Sequence, residues 1–375
     1  MSDRGRLRVA VLALETLIEG QAAATHVNEL AVAMEKRGWP VRIYEAKGTG
    51  AATGKPLPGR FLRHIYAQLK LFAEYSRWDV LYVRSHPVAI PSTIGASLLG
   101  RPVIHELNGS PVDLRVTYPK LQPVIGLIEW LWRAQLRMAD MVVTVTPGLA
   151  AWVRRSTGND RVVVISNAAN TEKFAAEGPR ALANDPYVVF VGSLVPWHGI
   201  QTMIAAAASP NWPPNTRLVV VGDGIERAAV AAAAASNPRI IWLGFRPYAE
   251  VPSLLRGAVA ALVVIGNPLG RSDTGVMPLK LFEAAACAVP VVVTELPGQA
   301  EFVRSNECGI VIPVDDHEAL AVAVAQLTND NARRSHLGRN GVRAVQARHT
   351  WDERARALDD ALRSMAGDPM TVGQK

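Results

Sequence analysis

A lysine and a glutamate stand three residues apart near the start of an otherwise apolar segment. The segment, MPLKLFEAAACAVPVVVTELPG, covers residues 277–298, and the pair is Lys280 and Glu283. Pro278 suits the first position of a helix, and a helix start attracts anions, so Lys280 would strengthen a phosphate site there. Glu283 could accept hydrogen bonds from hydroxyls such as a ribose diol. The alternative is that the two charges form an ordinary surface pair.

Two glycine-containing turns follow strand-like runs earlier in the same half of the chain. In VVFVGSLVPWHG the strand ends at Gly192 and Ser193, and His198 stands just before the next helical pattern. The turn in VVGDGIER contains Gly222 and Gly224. Glycine lets a ligand approach the backbone, but no G-x-G-x-x-G fingerprint is present, which disfavours a dinucleotide. An ordinary strand–loop–helix connection is the alternative for each turn.

Short strand-like runs and longer helical patterns alternate along most of the chain. These elements must position the lysine, the glutamate and the glycine turns. The strand-like runs are rich in Val and Ile: LRVAVLAL, VRIYEA, VLYVRS, PVIHELN, MVVTVT and VVVISN in the first half, then YVVFVGSL, RLVVVGDG, IIWLGF, ALVVIG, PVVVTEL and GIVIPV. This alternation predicts parallel sheets covered by helices, an α/β fold. After IPVDD the pattern is helical.

A length of 375 residues suits two domains. The strand series runs twice, and the join falls in the turn-rich segment 170–187, so we place the boundary at Gly178. We predict one domain over 1–178, a second over 179–348 and a closing helical segment over 349–375. Two doubly wound sheets would leave a cleft, and such sheets bind ligands beyond the carboxyl ends of their strands.

Composition narrows the class of protein. Hydrophobic residues make up 49% and charged residues 19%, which is typical of a globular chain. No apolar stretch reaches the roughly 20 residues of a membrane span, no signal peptide is evident, and Cys287 and Cys308 lie in apolar surroundings; we expect a cytoplasmic protein with reduced thiols. The net charge of +7 predicts an acidic partner. Without nucleic-acid motifs or metal-ligand spacing, an anionic small ligand or a membrane surface remains.

The order of several motifs resembles the retaining glycosyltransferases of the GT-B fold, specifically glycosyltransferase family 4. The resemblance spans nearly the whole chain and is carried by GQAAATHVNELAVAMEKRGWPVRIY, RPVIHELNGS, VVVISNAANTEKF, FVGSLVPWHG, VVGDG, LGFRPYAEVPSLLRGA, PLKLFEAAACAVPVVVTELPGQAEFV and HTWDERARALDDAL. It implies two Rossmann-like domains facing across a cleft, with the last helix crossing back to the first domain. It also implies a role in building polysaccharides or glycolipids.

The resemblance implies that the second domain holds a nucleoside-diphosphate sugar as co-substrate, with no other cofactor. Glu283 occupies the second position of the family's paired-glutamate motif, and Gly275 stands where the first glutamate is expected. Ser193 and His198 stand where an arginine and a lysine usually meet the diphosphate, so Lys280 would carry the leaving group with them. The remaining expected donor contacts are Gly192, Gly222, Asp223, Gly224, Phe245, Arg246, Arg271, Val276, Met277, Pro278 and Leu279.

The resemblance also implies that the first domain receives the acceptor, which would be sugar-bearing, lipid-linked or a small molecule. Asn108 lies about where many relatives carry a histidine near the reacting sugar, and with Glu106 and Lys280 it forms the predicted catalytic set. The other predicted acceptor-side residues are Glu15, Gly20, Arg84 and Gly109. The implied reaction is hexosyl transfer with retention at the anomeric carbon and without a metal.

The residue pattern of segment 60–78 fits either a helix that contacts a membrane or a helix that packs on the sheet. Phe61, Ile65, Leu69 and Phe72 lie on one side of its predicted helix, which also carries basic residues. This pattern fits an interfacial helix at the inner face of a membrane, whereas the favoured alternative packs the stripe on the sheet. Two other functions stay open: a non-catalytic sugar-nucleotide binding protein and a nucleotide-sugar epimerase of the same fold.

Overall fold

The computed structural model describes residues 7–46, 57–109, 119–182, 185–266 and 271–367. The chain forms two compact units, one of Met1–Ser166 with Trp351–Lys375 and the other of Asn167–Thr350. The division therefore falls before the predicted boundary at Gly178. The reason is that Phe174, which precedes Gly178, is buried in the core of the second unit.

The first unit is built on six strands in the order β2-β1-β3-β4-β5-β6, and every pair is parallel. The strands are Val9–Ala13 (β1), Val41–Glu45 (β2), Val80–Arg84 (β3), Val103–Leu107 (β4), Met141–Thr144 (β5) and Val162–Val164 (β6). The helices are Ala22–Lys36 (α1), Leu57–Ala73 (α2), Ile90–Leu98 (α3), Ile125–Met138 (α4) and Pro147–Thr157 (α5). The central strands are buried along their length, which confirms the α/β prediction.

The second unit repeats this plan with the order β12-β11-β10-β7-β8-β9, again all parallel. Its strands are Tyr187–Val191 (β7), Arg217–Val221 (β8), Ile240–Gly244 (β9), Ala260–Val263 (β10), Val291–Thr294 (β11) and Gly309–Ile312 (β12). Its helices are Ile200–Ala208 (α6), Arg227–Ser236 (α7), Val251–Arg256 (α8), Arg271–Thr274 (α9), Leu279–Ala286 (α10), Gln299–Asn306 (α11), His317–Asn329 (α12) and Asn331–Arg348 (α13). All twelve predicted strands are confirmed.

Helix ends follow local chemistry that is readable in the sequence. Thr146 precedes α5 and accepts a hydrogen bond from the amide of Leu149 (3.1 Å), while Gly158 closes the helix in the left-handed region at φ 72°. Asp316 and Asp330 cap α12 and α13 in the same way. No helix in the described ranges is both long and apolar enough to cross a membrane.

The last helix, Trp351–Gly367 (α14), belongs to the first unit, where it packs against α1. Its Arg354 forms a buried ion pair with Glu106 at the end of β4 and donates to the carbonyl oxygens of Ile165 (2.7 Å) and Ser166 (2.6 Å). Nε2 of His26, on α1, lies 2.8 Å from the Glu106 carboxylate. Burial alone would raise the pKa of Glu106, but His26 and Arg354 hold it below its usual range. This ion pair attaches α14 to the sheet.

We expect Arg354→Met to destabilise the first unit by about 3–5 kcal/mol, because it leaves the Glu106 carboxylate buried without its cation. The matched control is Arg356→Met on the same helix, whose partners Glu353 and Asp360 form exposed ion pairs, and it should unfold close to the wild type. Thermal unfolding followed by circular dichroism measures both. Equal midpoints for the two variants would contradict a role for the buried pair.

Candidate functional site

The loops that follow β7, β8 and β9 lie against one another at the carboxyl end of the second sheet. The amide of Gly192 donates to the carbonyl of Val221 (3.0 Å), and that of Gly222 donates to the carbonyl of Gly244 (2.8 Å). A Cβ at Gly222 would lie 1.9 Å from the carbonyl oxygen of Gly192, and one at Gly224 would lie 2.4 Å from that of Leu194. Only glycine allows this approach, so the two predicted glycine turns form one continuous backbone surface.

A second backbone surface precedes α10 and is held from two sides. Val276 pairs with Gly298 in an isolated parallel bridge, and its amide donates to the carbonyl of Pro297 (2.8 Å). The side-chain amide of Asn167 donates to the carbonyl of Met277 (2.6 Å). Gly275 has φ 72°, and a Cβ there would lie 2.6 Å from the carbonyl oxygen of Pro297. The loop before α10 is thus fixed in place by its neighbours.

Helix α10 begins one residue later than predicted. Pro278 has extended backbone angles and precedes the helix, so that Leu279 is its first residue. The early amides of a helix have no partner within it, which makes this end a suitable place for an anion. Lys280 and Glu283 both lie on this helix.

The side-chain nitrogen of Lys280 is buried beside the first glycine turn. Nζ lies 4.1 Å from the centre of the Phe190 ring and 2.6 Å from where a Cβ of Gly192 would stand. It has no hydrogen-bond partner among the residues that the structure describes. Burial lowers the pKa of Lys280 to about 7, although the Glu283 carboxylate acts in the opposite direction. The ammonium group is therefore held, incompletely solvated, against the glycine turn.

Glu283 is buried and has a fixed orientation. Its Oε1 accepts a hydrogen bond from the hydroxyl of Tyr248 at 2.7 Å. The Tyr248 ring packs on Phe174 with a centroid distance of 5.3 Å. Apolar side chains that include Val189, Leu255 and Ala261 line a small cavity with Lys280 and Glu283. The surface-pair alternative for Lys280 and Glu283 is therefore wrong.

Tyr248 was not among the predicted site residues. It belongs to the motif LGFRPYAE, but a tyrosine in a loop carries no signal that it reaches a glutamate 35 residues later. The flanking residues Phe245 and Arg246 are exposed on the loop after β9. Tyr248 thus connects the loop expected to face the base with the carboxylate expected to face the ribose.

The predicted diphosphate residues of the first glycine turn lie together. Nδ1 of His198 is 2.7 Å from the carbonyl oxygen of Ser193, and since that oxygen only accepts, Nδ1 carries the proton. Asp223, in the adjacent turn, accepts from the amide of Gly224 and pairs with Arg227 at 3.6 Å. Arg271 begins α9, and its side chain lies outside the described residues. The ligand roles of all these residues stay predictions.

The predicted acceptor-side residues lie at the carboxyl ends of strands in the first unit. Nε of Arg84, at the end of β3, donates to Glu15 (2.7 Å), which follows β1. Nδ2 of Asn108 is buried and has no hydrogen-bond partner among the described residues. Gly20 and Gly109 are partly exposed in nearby loops. Glu106 Oε1 pairs with Arg354 and His26, and the predicted catalytic role of Glu106 stays a prediction.

In the described ranges no three His, Cys, Asp or Glu side chains are grouped closely enough to hold a metal ion. Cys287 and Cys308 are buried free thiols, and burial raises the pKa of each to about 12.

Two family models match this chain. "Glycosyltransferase Family 4" matches residues 23–173, and "Glycosyl transferases group 1" matches residues 172–344. Together they span residues 23–344, and with the relatives below they show that the chain belongs to the family 4 type of GT-B glycosyltransferases. The resemblance read from the motifs is confirmed.

Two curated relatives are each 29% identical to this chain. One is the lipopolysaccharide core biosynthesis glycosyltransferase LpsE of Rhizobium meliloti, aligned over 55% of this chain. The other is a GDP-mannose-dependent alpha-mannosyltransferase of Mycobacterium tuberculosis, aligned over 58% of this chain. The match spans 58% of the length of each relative.

A solved structure has the same fold. Anabaena HepE, crystallised in complex with UDP-glucose, superposes with a TM-score of 0.71 over 96% of this chain and 100% of that one. The two sequences are 18% identical, so this likeness concerns the fold. It confirms the predicted GT-B architecture.

We expect Tyr248→Phe to lower the affinity for a nucleoside diphosphate by up to roughly 10-fold, because Glu283 loses the hydroxyl that orients it, and a hydrogen bond to a carboxylate contributes on the order of 1.5 kcal/mol. The loss should be smaller for the 2′-deoxy form, which offers Glu283 fewer hydroxyls. Calorimetric titration with the ribo and deoxy nucleotides measures both affinities. The matched control is Tyr187→Phe, which removes a buried hydrogen bond to the carbonyl of Leu254 in the same unit and should leave affinity unchanged. An unaltered preference for ribose in Tyr248→Phe would count against this role.

Proposed function

We propose that this chain transfers a hexosyl group from a nucleoside-diphosphate sugar to an acceptor hydroxyl, with retention at the anomeric carbon and without a metal ion. The bond between the anomeric carbon and the β-phosphate oxygen breaks, and a bond to the acceptor oxygen forms on the same face of the sugar. The acceptor proton passes to the leaving phosphate. Family membership and the arrangement around α10 support this reaction.

The observation that carries the proposal is the buried ammonium of Lys280 against the Gly192 turn. Its nitrogen has no hydrogen-bond partner among the described residues, so a bound diphosphate would supply one. Negative charge grows on that diphosphate as the sugar leaves, and a fixed cation in a buried place stabilises such charge strongly. Lys280, with the early amides of α10, would meet this charge, a role that a divalent cation fills in other enzymes.

The neighbouring groups fit the rest of the donor. The Glu283 carboxylate, oriented by Tyr248, would accept hydrogen bonds from the ribose hydroxyls. Ser193 and His198 would contact the diphosphate from the first glycine turn. The backbone amides that follow Gly275 would contact the sugar where relatives use a glutamate. The uracil or guanine base would lie at the loop that contains Phe245 and Arg246.

Similar proteins support a particular donor and acceptor for this reaction. A GDP-mannose-dependent relative and a fold neighbour bound to UDP-glucose point to a UDP- or GDP-hexose donor. The relative named for lipopolysaccharide core biosynthesis points to a sugar-bearing or lipid-linked acceptor. The protein would bind such an acceptor at the cytoplasmic face of the inner membrane, in peripheral contact with that membrane.

A panel of UDP- and GDP-hexoses, offered with sugar and lipid-linked acceptors, tests this function. Release of the nucleoside diphosphate should require an acceptor and persist in excess EDTA, and nuclear magnetic resonance should find the donor's anomeric configuration in the product. Nucleotide binding without turnover on any acceptor would instead indicate a binding protein. Conversion of the sugar without an acceptor would indicate an epimerase.

Donor affinity should weaken as the pH rises above the Lys280 pKa of about 7 in the free protein. The sign follows because the diphosphate prefers the charged form, which predominates only below that pKa, and the loss is at most about 10-fold per pH unit. Lys280→Met should bind the donor weakly at every pH. It should also unfold at a higher temperature than the wild type below that pKa, since it removes a buried cation that has no described partner.

Lys36→Met is the matched control for this prediction, because Lys36 is exposed on α1 in the first unit. It should leave the pH profile of donor affinity unchanged. Calorimetric titration across pH, together with thermal unfolding, makes the comparison. If Lys280→Met kept the wild-type pH profile, the ammonium group could not be the phosphate ligand.

A further inference from the structure

Three helices of the first unit carry most of the exposed large apolar side chains in the described part of the chain. Leu98 is 83% exposed, Leu62 65% and Trp130 62%. We name this set the apolar face: Phe61, Leu62, Tyr66 and Leu69 on α2, Ile94, Leu98 and Leu99 on or just after α3, and Val124, Leu127 and Trp130 on or just before α4. In the second unit the exposed apolar side chains are few and scattered.

The side chains of α2 are arranged differently from the favoured sequence interpretation. Phe61 and Leu69, expected to pack on the sheet, are 54% and 64% exposed, so that interpretation is wrong for them. Among the described side chains of this helix, Ala67 and Leu71 are the buried apolar ones and Gln68 is a buried polar one. Leu62, Tyr66 and Leu69 follow the spacing of one helix side, which turns an apolar stripe towards solvent.

The three helices are neighbours, so their exposed side chains lie on adjoining helices. The Phe72 ring of α2 lies against Gly95 of α3, where a Cβ would come within 2.5 Å of the ring. The Gln68 side chain of α2 accepts from the hydroxyl of Ser92 in α3 (2.8 Å). On the other side, α4 packs against α3, and its Gln135 donates to the carbonyl of His86 just before that helix (2.9 Å). The helices thus lie in the order α2, α3, α4.

The charges around the apolar face have one sign. Lys70 on α2 and Arg133 and Arg137 on α4 are exposed cations. Helices α2 and α3 contain no Asp or Glu, and α4 contains only Glu129. Glu129 is buried and lies 3.4 Å from Arg133. The three described helices therefore present apolar and basic groups to solvent, and no exposed carboxylate.

The combination of exposed apolar and basic groups fits one kind of partner better than the others. A second copy of the chain in a two-fold interface would place the apolar face against itself and bring like charges together. Nucleic acid would meet the cations but leave the leucines without apolar contacts. An anionic bilayer surface satisfies both, because aliphatic side chains enter the headgroup boundary, aromatic ones such as Tyr66 and Trp130 lie at it, and cations contact lipid phosphates.

We propose that the apolar face docks the first unit onto an anionic lipid bilayer. The face is larger than the isolated apolar residues usual on soluble proteins, and contact with the bilayer removes it from water. Docking would hold the first unit at the surface where a lipid-linked acceptor resides. The proposal rests on the first unit alone, so vesicle binding can fail while sugar transfer is retained, and the reverse.

Co-sedimentation with vesicles tests the docking. The full chain should bind vesicles of phosphatidylcholine mixed with phosphatidylglycerol, bind pure phosphatidylcholine more weakly, and dissociate as salt is raised. The triple variant Leu62→Gln, Tyr66→Gln, Leu69→Gln should lose at least roughly 10-fold in partitioning. Lys70→Gln with Arg137→Gln should lose roughly 30-fold on the anionic vesicles, at about 1 kcal/mol for each cation.

The matched control is Val32→Gln with Val322→Gln, two exposed apolar residues on α1 and α12 outside the face. It should partition as the wild type does, and all variants should keep the wild-type affinity for nucleoside diphosphates. Lipids that carry a doxyl quencher should reduce the fluorescence of the wild type more than that of Trp130→Phe. Equal partitioning of the triple variant and the control would overturn the proposal. The proposal would also be overturned if the wild type formed a dimer that the triple variant does not form, and neither protein bound vesicles.

Discussion

The placement of the Lys280 ammonium is the constraint on which the second unit's site depends. A cation next to an aromatic ring and a glycine turn, with no described hydrogen-bond partner, is less stable than the same cation in water. The surrounding backbone makes room for it, since Gly192 has no side chain and Gly222 allows the next turn to approach. Under the proposed function, a bound diphosphate would offset the cost of burying this charge.

The same reasoning separates the roles of the two charged residues on α10. One carboxylate oxygen of Glu283 accepts a hydrogen bond from Tyr248, whereas the Lys280 nitrogen has no hydrogen-bond partner among the described residues. Gly275 stands where the motif resemblance predicts a glutamate, and the structure shows a steric restriction at this position. The positive φ and the nearby Pro297 carbonyl leave no room for a Cβ, so a glutamate could not replace this glycine unless the loop moved. In the proposed reaction, backbone amides would take the place of that glutamate beside the sugar.

The buried charges of the first unit differ from that of Lys280 because they form an ion pair. The Glu106 carboxylate and the Arg354 guanidinium neutralise each other in the interior and attach the last helix to β4. Removing one partner of such a buried pair is costly, so the pair holds this helix in place. The candidates for acceptor contact in this unit are Arg84, Glu15 and the buried amide of Asn108, at the strand ends. The apolar face of α2, α3 and α4 is a separate candidate, for membrane contact.

The amino-acid sequence determined the architecture, because runs of Val and Ile buried on both sides leave a parallel sheet as the stable arrangement. It also indicated Lys280, Glu283 and the glycine turns as candidate site residues, since charge in an apolar segment and glycine after a strand are local signals. It could not supply Tyr248 or the ion pair of Arg354, because those contacts join residues far apart in the chain. The direction of the α2 stripe was also undetermined, since periodicity shows that a stripe exists but not whether protein covers it. Only the tertiary structure decided these points, because burial and partnership depend on which distant segments meet.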